Sequence, residues 1–144
     1  MKAAGCTALL CAVVIAGSAW LGAALPAAAQ VAPSAAEVAA YTGLHAAAHR
    51  GEAARLKAQL AAGALVDARD AAGRTPLHVA TFARQRDAIR ALAAAGATLG
   101  LLEHDRYDAV TIAAVADDEE TLRLLLSLGA SAKLVSPAAT TAPR

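Results

Sequence analysis

The chain has 144 residues, a single-domain length, and a formal net charge of +1, which excludes a strongly basic surface for nucleic acid or anionic membrane as its main target. It is 58% hydrophobic but only 3% aromatic, with alanine dominating the apolar count. Alanine is the best helix former and gives up no side-chain entropy, so the composition points to an all-helical chain with thin cores.

In chain order, residues 1–29 have the layout of a secretory signal peptide. Met1 and Lys2 form a short charged region, followed by Leu9, Leu10, Val13, Val14, Ile15, Trp20 and Leu21 in an apolar stretch. Pro26 breaks the helix and Ala27-Ala28-Ala29 supplies the small residues of a cleavage site, placed after Ala29. The alternative is a retained anchor, because the uncharged run between Lys2 and Glu37 is long enough to span a bilayer. Lys2 stays on the cytoplasmic side in either case, so the rest of the chain is expected in the periplasm or secreted, not inserted in a membrane after cleavage. A lipoprotein reading fails because Leu10, before Cys11, is not small and Cys6 has no apolar region before it. Cys6 and Cys11 both leave with the leader, so the mature chain has no thiol or disulfide chemistry. Losing Lys2 takes the basic residues from 13 to 12, equal to the 12 acidic ones.

A lead-in segment, residues 30–41, follows. Ser34 and Glu37 have capping-box spacing and predict a short helix from about Ala35. Residues 42–134 then carry a gapless 33-residue period in three copies, at about 37–69, 70–102 and 103–134. Gly63-Ala64, Gly96-Ala97 and Gly129-Ala130 mark it, as do Leu44, Leu77 and Val110, and Ala47, Ala80 and Ala113. Thr42, Thr75 and Asp108 recur as N-cap residues. Pro76 suits the first helical position, taken by Gly43 and Ala109 in the outer copies. Gly63, Gly96 and Gly129 are placed to end each second helix in a left-handed conformation. The turn between helices has Gly51 in copy one but Arg84 and Asp117 in the others, so distorted turns are expected there.

The last helix carries Leu122, Leu124, Leu125, Leu126 and Leu128, which at helical spacing point in nearly every direction. One neighbouring helix pair is not expected to bury them all. This predicts self-association, a covering partner, or a place in a longer array. Residues 135–144, with Ser136, Pro137, Thr140, Thr141 and Pro143, read as a disordered tail.

Little in the chain carries chemistry. His45 and His49 are four apart on one helix face, a spacing used by zinc hydrolases, but the Glu those sites need after the first histidine is Ala46 here. Asp117-Asp118-Glu119-Glu120 reads as a solvated helix start favoured by the helix dipole. No phosphate loop or nucleophile motif is present. No enzyme, cofactor or metal is expected; a metal-binding or hydrolytic protein using His45 and His49 is the weaker alternative.

Thr75-Pro76-Leu77-His78-Val79-Ala80 with its 33-residue period resembles the ankyrin-repeat signature. The likeness covers about Glu37 to Lys133 and is degenerate in Thr42-Gly43-Leu44-His45-Ala46-Ala47 and Asp108-Ala109-Val110-Thr111-Ile112-Ala113. With its leader the chain resembles exported bacterial members of that family. The resemblance implies an all-α solenoid of three ankyrin repeats that binds another protein on its concave face. It also implies that His45 and His78 tie neighbouring loops together. The partner positions it carries over are Tyr41, His49 and Arg50 in copy one, Arg74, Phe82 and Ala83 in copy two, and His104, Asp105, Tyr107 and Val115 in copy three. The mature chain's aromatics, Tyr41, Phe82 and Tyr107, all fall in this set, and aromatics and arginine are enriched in binding hot spots. A protective or inhibitory role toward one exported enzyme or toxin is the alternative within binding.

Overall fold

The computed structural model describes residues 32–131. The expected leader at 1–29 and tail at 135–144 therefore lie outside the described residues. A lead-in helix α1 (Ala35–Ala40) precedes three helix pairs. These are α2 (Gly43–Arg50) with α3 (Ala53–Ala61), α4 (Pro76–Phe82) with α5 (Arg86–Ala94), and α6 (Ala109–Val115) with α7 (Glu119–Ser127). The first helices of the pairs pack side by side in one layer and the second helices in another, giving the expected all-α solenoid. Among the described residues there is no strand, and no helix is long and apolar enough to cross a membrane.

Alanine makes this stacking possible. Ala47, Ala80 and Ala113 are buried where the inner helices approach one another, and the larger Leu44, Leu77 and Val110 fill the space beside them. Leu56, Ile89, Leu92 and Leu125 supply the core from the outer layer. The lead-in helix forms as the capping box predicts: Glu37 N–H donates to Ser34 Oγ at 3.2 Å and Ser34 N–H to the Glu37 carboxylate at 2.7 Å. Asp108 caps α6 through Thr111 N–H at 2.7 Å. Thr75 caps α4 with a long 3.5 Å bond, reinforced by its own N–H donating to His78 Nδ1 at 3.0 Å. Thr42 holds the N-cap position but makes no side-chain cap bond. The left-handed Gly43 after it, at φ +54°, breaks the alignment of the first turn.

The turns between helices correct one expectation. Arg84 and Asp117 take the left-handed conformation at φ 56° and 52°, as Gly51 does at 72°. The closing bonds are the same in all three copies, from Glu52 N to Ala47 O, Gln85 N to Ala80 O and Asp118 N to Ala113 O, at 2.8–3.0 Å. The turns are conserved in shape, not distorted. Forcing a side chain into this region costs about 1–2 kcal/mol. Arg84 donates to Ala116 O at 3.1 Å, while Asp118 accepts from Thr121 N–H and Oγ1–H at 3.2 and 2.6 Å. Arg106, at φ 66°, likewise takes the left-handed place that Gly73 holds one copy earlier.

The last helix is only partly covered. Leu125 is fully buried, and Leu122 and Leu124 pack against the core. Only Leu126 and Leu128 stay open, at 42% and 37% exposure. The expectation that one neighbouring helix pair does not bury the whole set therefore holds, with Leu125 sealed and Leu122 and Leu124 partly covered where α5 and α6 meet α7.

Candidate functional site

Two columns of residues, 33 apart, build the inner edge of the solenoid. Glu37, Asp70 and Glu103 form an acidic column, and Tyr41, Arg74 and Tyr107 stand four residues after each. Residues of the second column reach the acid of the following copy. Tyr41 Oη donates to Asp70 Oδ2 at 3.2 Å, and Arg74 Nε lies 3.6 Å from Glu103 Oε2. Arg74 also reaches back, Nη1 to Glu37 Oε1 at 3.0 Å, and stacks 5.6 Å over the Phe82 ring. One guanidinium thus joins the lead-in helix, copy two and copy three.

Burial works against the Arg74 charge, but its bonds to Tyr41 and Glu37 prevail and hold its pKa above the usual arginine value. Burial, with the neighbouring Asp70 charge, pushes the Tyr41 hydroxyl up to about 12. Burial also raises the Glu103 carboxyl, helped by Asp105 and opposed by Arg74. The backbone and side-chain bonds from Ser34 pull Glu37 below the usual carboxylate range.

Arg74 is a correction to the expected surface. It is only 3% exposed, so it positions its neighbours and offers almost no area to a partner. Tyr41 and Phe82 beside it are half-buried, with one face of the patch open. Tyr41 stacks on His45 at 5.8 Å and leans on the half-buried His49 at 6.3 Å. The structure therefore brings Tyr41, His49, Arg74 and Phe82 together, with Ala83 half-buried just beyond Phe82. His104 and Asp105 are exposed at the next loop tip, where the His104 ring covers Gly73, and Tyr107 is half-buried below them. Val115 is 57% exposed at the end of α6. Arg50 stands apart at the end of α2, 3.9 Å from Glu52. Sequence reasoning took Glu37 only as a helix cap and passed over Asp70 and Glu103. The signal for them was their 33-residue spacing.

The loops themselves are tied by histidine. His45 Nε2 bonds Arg74 O at 3.0 Å and His78 Nε2 bonds Leu101 O at 2.8 Å. A family model for ankyrin repeats in three copies matches residues 44–136. The chain belongs to the ankyrin-repeat family. A comparison with curated proteins finds no match. As an ankyrin-repeat chain it is a protein–protein interaction module.

In these ankyrin repeats His45 and His78 are committed to structure. A carbonyl only accepts, so Nε2 of His78 carries the proton, and Nδ1 accepts from Thr75 N–H. His45 likewise spends its Nε2 on Arg74 O. Among the described residues no three metal-ligating side chains are gathered. Burial holds the His78 pKa below its ordinary 6.5, and the nearby Arg69 charge acts in the same direction. The unfolded chain then binds a second ring proton more readily than the fold. Stability from this site is present above 6.5 and is lost as the pH falls from there toward the lower folded value. Denaturant midpoints measured from pH about 7 down to about 5 are expected to fall. A His78→Gln chain should start lower but show a flatter slope; an unchanged slope would contradict the assignment.

Proposed function

We infer that this protein is a non-catalytic binding module that works outside the cytoplasm, with its partner held on the concave face. One observation carries the reading. In a chain with three aromatics after its leader, Tyr41, Phe82 and Tyr107 all stand half-open on one edge, and a buried Arg74 locks two of them in place. Aromatic groups fixed in this way lose little entropy when a partner covers them. His104 and Asp105 add a polar rim at the loop tip.

The location rests on the leader, with Met1 and Lys2, the apolar stretch and the Ala27-Ala28-Ala29 site. Intact-mass measurement of the exported protein is expected to find Gln30 at the N-terminus. A species that keeps Met1 through Trp20 would mean an anchor. No exported species at all would overturn the location while leaving the binding face untouched. Capture from the exported fraction, with a concave-face variant as the control bait, identifies the partner.

A further inference from the structure

The open end of the third repeat is a second surface, independent of the concave face. Within the stack each copy covers the side of the copy before it. Ala48 and Thr81, at matching positions of α2 and α4, are buried, whereas their counterpart Ala114 in α6 is exposed. Leu56 and Ile89 are sealed in the outer layer, but Leu122 at the same position is only partly covered. Leu126 lies open beside it. A shallow groove of about 160 Å³ runs across this end between Ala114, Asp117, Glu119 and Leu122.

Charge says what fits there. Copy two grips copy three through Arg84, 3.8 Å from Asp118, and through Arg86, which pairs with both Asp118 and Glu120. The positions of Arg84 and Arg86 recur in copy three as Asp117 and Glu119, so the sign is reversed at the open end. Glu119 is shared with Arg123 on its own helix, and Asp118 is already held by Thr121 and the two arginines. Whatever continues the stack must bring cations. A second copy of this chain brings a mixed set of charges: stacked head to tail it would set Glu52, the counterpart of Asp118, against Asp117 and Glu119, with Arg50 and Arg55 already committed to Glu52, and end to end it would set the carboxylates of Asp117 and Glu119 against themselves. A following repeat would lack a tie that the earlier junctions have. Thr111 stands where His45 and His78 reach for the next loop, and its hydroxyl turns inward to Asp108 at 2.7 Å.

We propose that this end binds a basic amphipathic helix of another protein, its apolar side on Ala114, Leu122 and Leu126 and its Lys or Arg residues on Asp117 and Glu119. The test titrates the full chain with two synthetic helical peptides that share one Leu/Ala stripe, flanked by Lys in one and Glu in the other. Fluorescence anisotropy should find the Lys peptide bound at least about tenfold more tightly, with the gap closing at high salt. Asp117→Asn with Glu119→Gln should abolish the preference, and Leu126→Lys should weaken the Lys peptide. Replacing Tyr41, Phe82 and Tyr107 by Ala should leave it bound, which separates this surface from the concave one. Equal binding of the two peptides, or a preference that survives the double variant, would overturn the proposal. Binding of neither, with the chain dimeric or its end covered by its own residues 132–144, would overturn it as well.

Discussion

A Leu77→Ala chain is expected to unfold with about 2–5 kcal/mol less stability than the native one, the usual cost of emptying a buried leucine site. Leu77 is 1% exposed in α4, and its helix packs on α2, α5 and α6, so the cavity opens where all three copies meet. The alanines beside it are too short to refill it. Ala47, Ala80 and Ala113 line the same core and have no atoms to swing inward. A three-repeat solenoid has little reserve, since three is near the least that holds together. Chemical denaturation followed by circular dichroism measures the loss. An unchanged midpoint would mean that Leu77 is not the shared core residue described.

The second large effect is at Arg74. Arg74→Met removes the cation that faces Glu103, itself 5% exposed, and leaves a buried carboxylate uncompensated. Breaking such a pair from one side costs about 3–5 kcal/mol, and the low end applies because the Glu37 side of the cluster is open to water. The dependence on pH has a definite sign. Burial already raises the Glu103 pKa, so its ionisation opposes folding as the pH rises. Without Arg74 that opposition grows. The deficit should be largest near neutral pH and shrink as acid protonates Glu103. Adding Glu103→Gln to the variant should restore most of the lost stability. A loss that ignores pH, or a double variant no better than the single one, would show that Arg74 acts by packing alone.

The fold was legible in the sequence because one period fixed everything at once. Leu44, Leu77 and Val110 named the core, and Gly63, Gly96 and Gly129 ended the outer helices at φ 93°, 88° and 95°. Other features escaped for physical reasons. A side chain at a loop position reads as exposed, yet Arg74 is buried, with Glu37 and Glu103, two periods apart in sequence, closing on it from either side. The turns at Arg84 and Asp117 keep the shape of the turn at Gly51 because the same backbone bonds close them, Gln85 N to Ala80 O and Asp118 N to Ala113 O. Thr42 is the right residue for a cap, but a left-handed Gly43 follows it. On the candidate face, the columns placed Tyr41, Phe82 and Tyr107 correctly in register. Which of them stand half-open depends on neighbouring copies, which a linear reading does not see.

The central claim is that the partner is held by the concave aromatic edge. Its most direct test is the affinity of the captured partner for the native chain and for a chain with Tyr41, Phe82 and Tyr107 all changed to Ala. None of the three is fully buried, so the variant should keep its helical circular dichroism. The account predicts a loss of at least about 2 kcal/mol, roughly thirtyfold in Kd. Equal affinity in a folded triple variant would place the partner elsewhere and contradict it.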